Sequence, residues 1–128
     1  MPSISELKIK IFADGANLEE MKKTYKEGLV KGFTTNPTLM KKDGVKDYVS
    51  FAKAVLGEIK NMPISFEVFT DDFESMVSQS MIIGGCGLNV FFKIPVSNTK
   101  GEASYGLISK LSSEGYKLNV TAIMTTAQ

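Results

Sequence analysis

Apolar and polar residues alternate in short runs along the chain, and between the runs apolar positions fall at helical spacing. The alternating runs read as strands over residues 8–14, 32–36, 64–69, 90–95 and 118–124. Four helical segments lie between them. Asn17 is followed three residues later by Glu20, Asp71 by Glu74 and Thr99 by Glu102, each with the spacing of a capping box. Gly28, Gly84 and Gly115 stand where those helices should stop, since glycine takes the left-handed cap conformation cheaply. The second helix, about residues 45–60, has weaker start signals and ends before Pro63. Strand and helix in strict alternation predict an α/β protein with a parallel sheet. There is no linker, low-complexity tract or internal repeat, so residues 1–128 read as a single domain.

Parity within the strands narrows the fold. Successive side chains on a strand point to opposite faces. One set is Ile9, Ile11 and Ala13; Ile64, Phe66 and Val68; Val90, Phe92 and Ile94; Leu118, Val120 and Ala122. These should face the covering helices. The other set carries Asp14; Thr34 and Asn36; Ser65 and Glu67; Lys93; Asn119 and Thr121. In a (β/α) barrel that face is the interior, and polar groups near the carboxyl ends of strands are where such enzymes place chemistry. An open doubly wound sheet covers both faces with helices, and so many buried polar groups would each need a partner. The pattern favours the barrel.

Composition removes several function classes. The formal net charge of +1 gives no bulk attraction to nucleic acid or membrane. The pairs Lys22-Lys23 and Lys41-Lys42 sit beside acidic residues and read as solvated helix faces. No apolar run approaches the ~20 residues of a membrane span, and Met1-Pro2-Ser3-Ile4 does not start a signal peptide. With Cys86 as the one cysteine, no intramolecular disulfide can form, which fits a reducing cytoplasm. The chain contains no histidine, which removes Ser-His and Cys-His nucleophiles and histidine zinc motifs. Acid–base work must fall to carboxylates, lysine, tyrosine, or hydroxyls acting through water.

Lys93 interrupts the apolar run Val90-Phe91-Phe92-Lys93-Ile94-Pro95. Burying an ammonium costs several kcal/mol unless it is paired or deprotonated, and the neutral amine is the form that attacks a ketone. The alternative is a strand-end lysine whose head reaches water. Glu67, inside Ile64-Ser65-Phe66-Glu67-Val68-Phe69, reads equally as a proton relay or as a structural ion pair with Lys93. Asp14 before Gly15 also suits a plain turn, and Asn36 before Pro37 a plain strand exit. Gly84-Gly85-Cys86-Gly87 follows a helix and precedes a strand, the reverse of a phosphate-cradling loop.

Taken in order, five stretches resemble the transaldolase family, including its small branch, fructose-6-phosphate aldolase. They are Ile11-Phe12-Ala13-Asp14, Gly32-Phe33-Thr34-Thr35-Asn36-Pro37, Ser65-Phe66-Glu67-Val68, Lys93-Ile94-Pro95-Val96 and Asn119-Val120-Thr121. Glu114-Gly115 and Ala127-Gln128 fit the same pattern, so the resemblance covers nearly the whole chain. It implies a Schiff-base mechanism on sugar phosphates, with no metal or other cofactor. Lys93 would attack the ketose carbonyl, Glu67 and Thr121 would position a proton-moving water, and Asp14 would take the hydroxyl proton that drives carbon–carbon cleavage. Thr34, Asn36, Ser65 and Asn119 would hold the hydroxyls of a dihydroxyacetone unit. Glu67, Ser65 and Asn119 together resemble transaldolase, because the aldolase branch carries glutamine in place of Glu67 and an apolar residue in place of Asn119. Gly15 departs from the threonine or serine usual after the strand-one aspartate.

The resemblance also implies a (β/α)8 TIM barrel, a fold of typically ~250 residues, of which this chain offers about five strands and four helices. The remaining strands would supply the phosphate-binding residues. A homo-oligomer is expected, and a fragment standing alone would expose the edges of strands one and five. Three functions follow as expectations: a transaldolase moving a dihydroxyacetone unit between sugar phosphates, an aldolase releasing it free, or a silent partial barrel serving as an interaction module.

Overall fold

The computed structural model describes residues 3–128; Met1 and Pro2, part of the run read for a signal peptide, lie outside the described residues. The strands are β1 (Phe12–Asp14), β2 (Gly32–Thr34), β3 (Ile64–Glu67), β4 (Val90–Pro95) and β5 (Leu118–Thr121). They form one parallel sheet in the order β1-β2-β3-β4-β5. An order that never reverses is that of a barrel sector, whereas a doubly wound sheet turns back at a switch point. The helices are α1 (Leu18–Glu27), α2 (Pro37–Lys42), α3 (Tyr48–Glu58), α4 (Phe73–Gly84) and α5 (Tyr105–Ser113).

The outer face of the central strands is the core. Ile64, Phe66, Val90, Phe92 and Ile94 are buried there against helix residues such as Val55, Met76, Ile83 and Leu111. Ile11, Ala13 and Leu118 pack at its margin. Ile9 and Ala122, expected on the same face, are exposed because the edge strands are shorter than the sequence pattern suggests. β1 begins only at Phe12, and β5 stops at Thr121 because Ala122 enters the left-handed region at φ 58°.

Helix boundaries follow local chemistry, with four corrections. Asn17 caps α1 by accepting from the Glu19 and Glu20 amides, and Gly28 closes it at φ 69°. Asp71 is not the cap of α4; Asp72 accepts from Ser75 N instead, and α5 starts after Ser104 rather than Thr99. Gly84 does end α4, but its φ is not positive. A Cβ there would stand 3.2 Å from both Phe92 Cζ and Tyr116 Cε1, so the close approach of these rings favours glycine. The expected strand exit at Asn36-Pro37 is a helix start: Asn36 Oδ1 accepts from Leu39 N at 2.9 Å and Pro37 occupies the first helical position.

Gly32 allows a tight rung between β1, β2 and β3. A Cβ on it would collide with Phe12 Cε1 and sit 2.8 Å from the Pro63 carbonyl. The Phe12 ring is half exposed and can swing away. The carbonyl cannot, because it accepts from Phe33 N at 2.9 Å. Gly32→Ala is therefore expected to cost about 1–3 kcal/mol, as overpacked sites do, read as a lower urea midpoint at unchanged slope.

Candidate active site

Parallel register places the polar residues in rows across the inner face. Asp14, Thr34 and Ser65 are register partners in one row, and Glu67, Lys93 and Asn119 in the next. Thr121 stands one step further along β5, opposite Pro95. The shared parity read from the sequence is thus the parity of the sheet. All strands run the same way, so these rows lie toward the carboxyl ends.

Lys93 is held by two acceptors. Its Nζ donates to the Thr35 carbonyl at 3.1 Å and lies 3.5 Å from Glu67 Oε2, with side-chain exposures of 15% for Lys93 and 29% for Glu67. The amine faces an open hollow of ≈ 510 Å³ lined by Asn36, Pro37, Thr38, Leu39, Glu67 and Lys93. Asn36 spends its Oδ1 on the α2 amide, which fixes the side chain at the rim. An amine, a carboxylate able to exchange protons with it, and an amide therefore share one water-accessible recess.

The other expected residues form two pairs, one within the Asp14–Thr34–Ser65 row and one that joins the two rows. Thr34 Oγ1 donates to Asp14 Oδ1 at 2.8 Å, and Asn119 Nδ2 donates to Ser65 Oγ at 3.3 Å. Thr34, Ser65 and Asn119 line a second inner-face hollow of ≈ 700 Å³, whose apolar wall includes Phe12, Phe91 and Leu118. Thr121 lines neither hollow, and its carbonyl accepts from Val96 N at 2.9 Å. Two participants were not foreseen. Periodicity assigns side chains to faces and says nothing of which backbone carbonyl a lysine reaches, so Thr35 O went unseen. Tyr48, whose Oη donates to the Glu67 carbonyl at 2.8 Å, sits on a helix with weak start signals.

Two loops at this end of the sheet are clasped together. Asp71 accepts from Thr99 N at 2.8 Å and from Thr99 Oγ1 at 2.6 Å, joining the β3–α4 and β4–α5 connections. The Thr99 hydroxyl first, then the Thr99 amide, holds the Asp71 carboxyl below its ordinary 3.8; Lys100 adds to this, while desolvation and Asp72 oppose it. A carboxyl depressed by folding stabilises above its unfolded value and loses that contribution as pH falls through the folded one. The Thr99 amide resonance is expected to hold its clasped position at neutral pH and to move as pH falls below 3.8. In Asp71→Ala it should sit at the released position throughout.

Among the described residues no helix is long and apolar enough to cross a membrane. Comparison with known proteins agrees with the geometry. The sequence is 38% identical over 120 residues to a probable transaldolase of Dehalococcoides mccartyi, covering 94% of this chain and 54% of that protein. It is 36% identical over 120 residues to a probable transaldolase of Thermodesulfovibrio yellowstonii, covering 94% and 53%. It is 38% identical over 120 residues to one of Methanococcus vannielii, with the same coverage of 94% and 53%. The chain thus spans about half the length of the curated relatives it matches. Residues 11–128, which hold every strand and every residue of both hollows except Lys10, match the transaldolase/fructose-6-phosphate aldolase family, and to that family this chain belongs.

Proposed function

We propose that the protein transfers a dihydroxyacetone unit between sugar phosphates by a Schiff-base mechanism, with residues 1–128 supplying a single partial-barrel domain. The observation carrying this reading is Lys93 Nζ at 3.5 Å from Glu67 Oε2 in an open recess at the strand ends. Lys93, as the free amine, adds to the ketose carbonyl to give a carbinolamine. Protons relayed by Glu67, through a water also held by Thr121, expel the former carbonyl oxygen as water and leave a protonated imine. Asp14, oriented by Thr34 Oγ1, takes the proton of the hydroxyl β to the imine carbon. The carbon–carbon bond breaks, an aldose leaves, and the electron pair is held as the enamine. Addition to an acceptor aldehyde and hydrolysis of the imine reverse these steps. Thr34, Asn36, Ser65 and Asn119 hold the unit's hydroxyls.

The second reading is an aldolase whose enamine is protonated and released as free dihydroxyacetone. The Glu67 carboxylate and the Ser65–Asn119 pair favour transfer. The products of fructose 6-phosphate with and without erythrose 4-phosphate decide. Transfer predicts sedoheptulose 7-phosphate only with the acceptor present; free dihydroxyacetone without it supports the aldolase; no turnover of either kind supports the silent module.

A further inference from the structure

Between β2 and β3 the hydrogen-bond ladder advances two residues at a time. Phe33 N donates to the Pro63 carbonyl at 2.9 Å, and Thr35 N to the Ser65 carbonyl at 2.9 Å. The next donor in that series is the amide of residue 37, and the next acceptor is the carbonyl of Glu67. Residue 37 is a proline and has no N–H. On the β4 side the rung beyond Glu67 is stretched, with Val68 N at 3.4 Å from the Lys93 carbonyl. The Glu67 carbonyl thus lacks a ladder donor from β2, and the neighbouring rung to β4 is long, where the recess opens.

We infer that Tyr48 is the positioning residue for Glu67: its hydroxyl replaces the rung Pro37 cannot form and so aims the Glu67 carboxylate at Lys93. The inference rests on the proposed function for its catalytic meaning. Tyr48 Oη donates to the Glu67 carbonyl at 2.8 Å, the usual length for a hydroxyl donor. The ring meets the residue before Glu67 and the second residue after it edge-on, Phe66 at 6.0 Å and Phe69 at 4.3 Å between centroids. Glu67 is thereby bracketed by aromatic contacts and fixed by a hydrogen bond at its own carbonyl. Burial first, and then the Glu67 charge, raises the phenol's ionisation above its usual range, so it remains a donor at any working pH. Phenylalanine would fill the space equally well and leave the carbonyl without its donor.

The test reads Lys93 directly and does not require turnover. Competitive acetylation at fixed pH, quantified by peptide mass spectrometry, measures the reactivity of Lys93 relative to exposed lysines. Glu67→Gln should change that ratio at least roughly threefold, an effect within the range of coupled neighbours. Tyr48→Phe should move it the same way, and the double variant should match Glu67→Gln alone. Phe69→Leu disturbs the same ring cluster while keeping the hydroxyl; it should leave the ratio unchanged, which separates positioning from loss of stability. A Tyr48→Phe ratio equal to that of the unmodified protein, an effect that adds to Glu67→Gln, or an equal effect of Phe69→Leu would each overturn the inference. Borohydride trapping of a ketose is run in parallel. If nothing is trapped the proposed function falls, while the acetylation comparison still decides whether Tyr48 governs Glu67.

Discussion

Phe66→Ala is expected to remove about 3–5 kcal/mol of folding stability, the usual cost of emptying a buried phenylalanine site. Phe66 is 0% exposed on the central strand, in register with Phe92, and touched edge-on by Tyr48. The loss combines the transfer energy of the ring with the cavity it leaves, because the flanking strands are fixed by their ladders and collapse only partly. A domain of this size typically has ~5–15 kcal/mol in total, so the variant should have a much lower urea midpoint or be unfolded in buffer. Phe69, 44% exposed two residues beyond the strand, provides the contrast. Phe69→Ala should lose markedly less, since part of its ring already meets water. Equal losses in the two variants would mean that the outer face of β3 is not the core.

The second large effect concerns Lys93. Lys93→Arg should abolish imine formation, because a guanidinium neither deprotonates usefully nor condenses with a ketone. Lys93→Met should abolish it too, and the structure alters the accompanying stability expectation. On sequence alone, replacing a cation in an apolar strand by methionine reads as neutral or stabilising. Lys93 Nζ, however, is the donor to the carbonyl of Thr35, a residue with 0% exposure. Losing a donor to a buried carbonyl costs about 1–3 kcal/mol, and Glu67 loses its ion-pair partner in the same step. Lys93→Met should therefore be catalytically silent and modestly less stable by thermal denaturation. A Lys93→Met protein more stable than the original would show that the Thr35 contact contributes nothing.

How far the sequence disclosed this arrangement depends on the kind of signal. Alternation along a strand is a strict period of two, so the row Glu67–Lys93–Asn119 and the row Asp14–Thr34–Ser65 were legible as one face before any coordinates. β4 matches its expected limits, residues 90–95, and is paired on both sides along a run that is apolar except for Lys93. β1 begins later and β5 ends earlier than their composition suggests, and β2 and β3 stop at Thr34 and Glu67, two residues short of their expected ends. Turn chemistry was the weaker guide. Asn-Pro ends a strand and starts a helix by the same φ/ψ preferences, and α2 was hidden behind that ambiguity. Asp71 and Asp72 are both helix-start residues by type; only the reach of Thr99 from the next loop decides which of them caps α4. Contacts to backbone carbonyls, Lys93 on Thr35 and Tyr48 on Glu67, leave no pattern in composition or period.

Where the imine forms is the central claim, and one measurement locates it. The protein is incubated with fructose 6-phosphate, reduced with borohydride, digested, and the modified peptide sequenced by mass spectrometry. A single modified lysine, Lys93, is expected, and no adduct in Lys93→Met. The informative competitors are Lys10 and Lys31, which line the other inner-face hollow. An adduct on either of them, or one that persists in Lys93→Met, would contradict the claim.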